Sequence, residues 1–218
     1  LVYKDGSWNT LCLTFDLTIA GSPLAGATVK TLESSDYNSE NGTLTLNFTT
    51  DNLTTLSAGT PYLVKWESGE DLVNPVFSGV TVSTIGGGHA DTHYVDFVGS
   101  FSPVALTAKD KTVLYLGENN TLYYPSADVT VNACRAVFRL HNGLTAGDLP
   151  TPGQANARAF VLNFGDGEET TAIVSVSEES GSQGAVTGWY TLDARRLNGQ
   201  PTTKGLYIHN GRKVLIVK

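Results

Sequence analysis

The chain has 218 residues, 40% of them apolar and only 16% charged, with a net charge of −7. That length allows one large sandwich, or a medium domain with a small appendage, and a core that needs no cross-links to fold. The acidic balance excludes the basic face that a nucleic-acid binder needs to displace counterions from phosphates, and it argues equally against an anionic membrane surface. The basic residues that do cluster, Arg195-Arg196 and the stretch from Lys204 to Lys218, read as solvated strand faces.

The missing charge is replaced by Thr, Ser, Asn and 23 glycines. β-branched Thr fits a pleated sheet, while Gly and Asn fit tight turns, so this surface suits strands better than helices. No apolar run approaches the roughly 20 residues that span a bilayer, so no membrane insertion is expected. The first residue, Leu1, stands in mid-pattern, and the chain is expected to be part of a larger one.

In chain order the period-2 signal recurs from end to end. Leu11 to Ile19 alternates and is broken by Gly21-Ser22-Pro23. Ala27 to Leu32 is a short strand, Asp36 to Gly42 a polar turn, and Thr43 to Thr49 a strand with Leu44, Leu46 and Phe48 on one face. Tyr62 to Trp66, Val76 to Val82 and Tyr94 to Val98 follow, with Gly86-Gly87-Gly88 read as a hairpin tip. Thr112 to Leu116 and Thr121 to Tyr124 make a hairpin across Gly117-Glu118-Asn119-Asn120. Val129 to Leu140 reads as one long central strand, and Asn142 to Ala157 as the main loop. Ala159 to Phe164 and Ala172 to Val176 close this part.

The run from Ser177 to Gly188, made largely of Ser, Gly, Glu and Gln, reads as a linker. Beyond it lie Trp189 to Leu192, Leu206 to Ile208 and Lys213 to Val217, with Asn210-Gly211 as a hairpin signal between the last two. The expected organisation is therefore a β-sandwich domain over 1–180 and a small C-terminal β-module over 181–218. No helical period survives for ten residues, and the short turn-rich connections point to an all-β, antiparallel sandwich. Cys12 and Cys134 are too few for a zinc site or a disulfide framework, and either two free thiols or one bridge fits the pattern.

Six stretches stand out: Trp8-Asn9-Thr10-Leu11-Cys12-Leu13, Ser22-Pro23-Leu24-Ala25-Gly26-Ala27, Ala58-Gly59-Thr60-Pro61-Tyr62, Leu122-Tyr123-Tyr124-Pro125, Arg135-Ala136 and Leu162-Asn163-Phe164-Gly165-Asp166. In them the chain resembles the C-terminal region of secreted and cell-surface proteins of gut Bacteroidales. The closing segment, with Trp189-Tyr190-Thr191-Leu192-Asp193, Lys204-Gly205-Leu206-Tyr207-Ile208 and Gly211-Arg212-Lys213-Val214, is similar to a type IX secretion sorting domain. Thr14 stands where that group usually has Pro, and Ala194 where it has Gly. The resemblance implies export and attachment at the cell surface. It leaves function open, because such regions accompany hydrolases, adhesins and repeat proteins alike.

Chemistry-bearing candidates are few. His89, Asp91 and His93 would share a strand face if Gly88 to Tyr94 were extended, and two imidazoles with a carboxylate can hold a divalent ion. A hairpin tip after three glycines makes a poor preorganised site, so no resident metal or cofactor is expected. No Ser lies in a Gly-x-Ser-x-Gly elbow, and the adjacent carboxylates Glu168-Glu169 and Glu178-Glu179 would face opposite ways in a strand. Asp166-Gly167-Glu168 lacks the oxygen ligands of a calcium loop. The sequons at Asn41, Asn47, Asn52 and Asn119 read as strand and turn composition. No enzyme is expected. Sugar rings stack on aromatic faces, and Tyr62, Trp66, Tyr94, Tyr123 and Tyr124 are the candidate platforms for a polysaccharide or glycan partner. The expected role is a non-catalytic, carbohydrate-binding accessory module of a secreted or cell-surface protein. The other reading is a structural or sorting module that spaces or anchors a partner domain.

Overall fold

The structure is a computed structural model and describes residues 1–83, 86–117, 120–147, 155–165, 170–172, 189–190, 196–197, 205–209 and 212–216. It divides into two compact units, Leu1–Val176 and Ser177–Lys218. The chain is all-β, and no helix among the described residues is long and apolar enough to cross a membrane.

Two sheets of the first unit enclose its main core. The five-stranded sheet runs, in spatial order, Leu122–Tyr123, Val113–Leu116, Arg135–Leu140, Val95–Ser100 and His89–Asp91, all antiparallel. The four-stranded sheet runs Thr170–Ala172, Ala159–Asn163, Thr43–Phe48 and Leu32–Asn38. Strand side chains alternate between faces. Leu44, Leu46 and Phe48 therefore point inward from one sheet, and Val95, Phe97, Ala136, Phe138 and Leu140 from the other, into a single buried cluster. Phe97 and Phe138 stack at 4.4 Å, and Phe48 meets both edge-on at 6.3 and 6.4 Å. Each fully buried ring of this kind contributes about 1.5–3 kcal/mol through the area it removes from water.

A three-stranded sheet, Asn9–Cys12, Pro61–Lys65 and Thr28–Lys30, has apolar residues on both faces. Leu63 joins the main core, while Leu11, Tyr62, Val64 and Val29 build a second cluster with Trp66, Leu24 and Leu56. A third, smaller cluster lies on the outer face of the five-stranded sheet. There Val113 and Val137 pack with Leu106, under the strand pair Val104–Leu106 and Val129–Val131.

The all-β architecture agrees with the alternation in the sequence, and most pairings are antiparallel. Two are parallel: Ala159–Asn163 on Thr43–Phe48, and Leu144–Ala146 on Ala155–Ala157. The second pair stands within 142–157, where the sequence reads as loop. The stretch 129–140 is two strands rather than one, because Cys134 adopts a φ of 59° and breaks the run between Val131 and Arg135. Val76 to Val82 forms no strand; Val76 and Val82 are exposed, while Phe77 and Val80 are half-buried, Phe77 against Phe15 at 5.1 Å. Alternation there lacks a neighbouring strand to hydrogen-bond with, and an unpaired strand has no partner for its backbone polar groups.

In the second unit, Arg196–Leu197, Trp189–Tyr190, Gly205–His209 and Arg212–Ile216 form an antiparallel four-stranded sheet in that spatial order. Its last hairpin closes at His209 paired with Arg212. The carboxylate candidates Asp166-Gly167-Glu168, Glu168-Glu169 and Glu178-Glu179 lie outside the described residues.

Candidate functional site

The aromatic candidates separate by face. Tyr62, Trp66 and Tyr124 are buried at 5–8% exposure and belong to the cores, which corrects their reading as sugar platforms. The Tyr62 hydroxyl accepts the Ser57 N–H at 2.9 Å, and the Trp66 indole N–H donates to the Ala25 carbonyl at 3.0 Å. Lys4 lies over the Trp66 ring, and Lys111 over that of Tyr124. Tyr94 is half-buried, with its ring edge-on to Tyr37 at 5.7 Å and to His93 at 4.4 Å. Of the five, only Tyr123 is exposed, at 38%, and it stacks on Tyr115 at 5.9 Å.

The extended stretch expected from Gly88 to Tyr94 ends at Asp91. The chain reverses over Thr92 to Tyr94, where the Thr92 N–H and hydroxyl both donate to the Val95 carbonyl. His89 and Asp91 do share a face and pair at 3.0 Å, both exposed. His93 is in the turn, so the three do not converge. Among the described residues no group of three His, Cys, Asp or Glu side chains is placed to share a metal ion. His141, which carries no motif, pairs instead with Asp96 at 2.9 Å.

Cys12 and Cys134 are free thiols. The Cys12 N–H donates to the Cys134 carbonyl at 3.0 Å, and the Cys12 thiol donates to the Gly59 carbonyl at 3.2 Å. Burial, and then the neighbouring Cys134, push the Cys12 pKa up to about 11, so this thiol stays protonated and unreactive at neutral pH. Two sequon asparagines are likewise occupied by the fold. The Asn52 side-chain carbonyl accepts the Val29 N–H, and the Asn47 amide bridges Ser34 and Asp36.

A groove of about 650 Å³ in the first unit lies between the arm from Tyr3 to Thr10 and the strands Val113–Leu116 and Arg135–Leu140. Tyr3, Tyr115, Arg135, Ala136 and the stretch Val129 to Asn132 are among the residues that line it. The arm is pinned. The Asn9 carboxamide accepts the Tyr3 N–H at 3.0 Å and donates to the Tyr3 carbonyl at 2.9 Å, and Val2 bridges Leu72. Trp8 anchors it further, its ring stacked on Phe164 at 4.5 Å and its backbone N–H donating to the Asn120 side-chain carbonyl at 2.6 Å. The Thr10 hydroxyl accepts the Ala136 N–H, and the Thr10 carbonyl accepts from Arg135 at 2.7 Å. A cleft of this volume, held by paired backbone and lined by rings and polar groups, suits a small organic ligand or a few sugar rings.

None of the five expected platforms lines this groove, although Tyr123 flanks it through Tyr115. Tyr3, Tyr115 and Arg135 were missed as site residues. The available signal for Tyr115 was its parity in the strand, opposite to that of buried Leu114. The stretches Trp8-Asn9-Thr10 and Arg135-Ala136, both part of the resemblance described above, meet on this groove. Comparison with models of known families, with curated proteins and with solved structures gave no match.

Proposed function

We propose that the unit Leu1–Val176 is a non-catalytic module that binds glycan, within a secreted or cell-surface protein. The observation that carries this reading is the groove, about 650 Å³ in volume, with Tyr3 and Tyr115 beside Asp5, Asn132 and Arg135. Tyr3 is 49% exposed, and the Tyr115–Tyr123 stack extends the aromatic surface beyond the groove wall. Rings offer faces to the apolar side of a sugar, and amide, carboxylate and guanidinium groups match its hydroxyls. Asp5 is the one carboxylate among the described residues that line the groove, whereas glycoside hydrolysis ordinarily needs a pair. That favours retention over turnover.

The burial of Tyr62, Trp66 and Tyr124 favours a second reading, in which the chain spaces or anchors another domain and holds no small ligand. A retention assay on soluble and insoluble plant and host polysaccharides separates the two. The glycan reading expects saturable retention on at least one polysaccharide, reduced tenfold or more by Tyr115→Ala and by Tyr3→Ala. Failure of the whole panel to bind would leave the spacing and anchoring role.

A further inference from the structure

A guanidinium has five N–H donors. Arg135 uses one on the Thr10 carbonyl at 2.7 Å and another on the Leu1 carbonyl. The remaining three meet no acceptor among the described residues. Nor does a carboxylate of any described residue lie within ion-pair distance; the ion pairs among the described residues are Lys65–Glu67, His89–Asp91 and His141–Asp96. Burial lowers the Arg135 pKa from its ordinary value, so the surroundings work against its charge. Arginine nevertheless stays ionised, and a half-desolvated cation without a counter-charge is a group that an arriving anion stabilises.

We propose that the groove takes an acidic saccharide, a glycan bearing uronic-acid residues, with the uronate carboxylate on the Arg135 fork and the sugar ring beside Tyr115. This rests on the glycan-binding reading above. The fork matches the two oxygens of a carboxylate, and its two carbonyl contacts hold the guanidinium in place before the ligand arrives. A phosphate, with more charge, is usually gathered by several cations, and Arg135 is the one cation among the described residues that line this groove. Asp5 also lines it, with its carboxylate accepting the Ser7 N–H at 2.9 Å, and no ion pair joins it to Arg135. The Asp5 carboxylate accepts hydroxyls and repels a dense run of anions. The site therefore fits single carboxylates spaced by hydroxyl-rich rings better than an acidic peptide. The net charge of −7 adds a long-range field that opposes any polyanion, so attraction must come from contact with Arg135.

The experiment is titration calorimetry of the full chain with oligomers of galacturonate and mannuronate and with a glucuronate-bearing xylan. The same oligomers after carboxyl reduction and an oligoglutamate of matched length serve as controls. At least one uronate ligand is expected to bind saturably, with its carboxyl-reduced form and oligoglutamate both at least tenfold weaker. Arg135→Gln should remove that preference, and Arg135→Lys should restore part of it; near-UV circular dichroism reports whether each variant is folded. The reduced ligand needs no variant, so the test stands even if both substitutions disturb the fold. Equal binding of acid and reduced forms, or binding of neutral glycans alone, overturns the acidic-ligand proposal and leaves the glycan reading in place. Oligoglutamate binding as tightly as the uronates assigns the groove to acidic peptides instead. Retention of no saccharide at all removes both readings.

Discussion

Two tyrosines and two phenylalanines on one sheet show what a strand face decides. Phe97 and Phe138 are cross-strand partners, 4.4 Å apart and nearly parallel, with no exposure. Tyr115 and Tyr123 are cross-strand partners in the same five-stranded sheet, 5.9 Å apart at 30°, and Tyr123 is 38% exposed. The pairing device is the same in both cases. The inner pair is covered by Phe48 from the opposing sheet, whereas the outer pair stands beside the groove. Burial on the inner face turns a ring pair into stability. On the outer face the same arrangement leaves ring surface free for a ligand.

The largest way to test that contrast is Phe138→Ala. Removing a fully enclosed ring should cost about 3–5 kcal/mol, read as a lowered urea midpoint. A loss under about 1 kcal/mol would mean that the two sheets are not held by this stack. Next comes Gly99→Ala. A Cβ at Gly99 would lie 2.4 Å from the Cys12 sulfur, so overpacking should cost about 1–3 kcal/mol. Adding Cys12→Ala should recover part of it, and strict additivity in that double-mutant cycle would refute the contact. Tyr123→Ala should be milder, below about 1 kcal/mol, because its ring is partly solvated. A cost equal to that of Phe138→Ala would erase the distinction between the two faces.

The smallest effects are alkaline. The Cys12 pKa is raised to about 11 from 9.0, so the folded state holds this proton more tightly than the unfolded chain does. Its contribution is complete below about pH 9 and fades as pH climbs toward about 11. The Tyr115 phenol is also raised above its ordinary value, first by burial and then by Tyr123. Ultraviolet titration should show Tyr115 ionising earlier in Tyr123→Phe than in the parent chain; an unchanged curve would separate the two rings electrostatically.

Much of the architecture was legible because alternation is a local signal. Leu44, Leu46 and Phe48 read as one face, and they lie at 0–2% exposure in the main core. Val76 to Val82 alternates as well, but pattern cannot supply a partner strand. The parallel pair at 144–146 and 155–157 was hidden for the converse reason, since Gly, Ala and Asn conceal a strand whose partner is eleven residues away. The groove was out of reach, because it joins residues 3–10 to 115–117 and 129–136. Nothing in Arg135 or Tyr3 alone announces that the chain will fold them together. Aromatic identity was a poor guide for a related reason: Trp66 and Tyr62 satisfy their polar atoms inside the core, on Ala25 and Ser57.

The parallel pairing of Ala159–Asn163 with Thr43–Phe48 sets a timetable for synthesis. Ala159 pairs with Thr43, 116 residues earlier. The hairpin of Leu32–Asn38 and Thr43–Phe48 can form as soon as it emerges, but its second edge waits for that later strand. At about 5–20 residues per second the wait is roughly 6–23 s. Throughout it, Leu44, Leu46 and Phe48 face no completed core, and one row of backbone donors and acceptors is open to any passing strand. The neutral polar residues on the opposite face, Thr43, Thr45 and Asn47, keep only that face wet. Truncation before residue 159 would leave the edge permanently unpaired, so shortened versions of this chain should aggregate through that hairpin while the full unit stays dispersed.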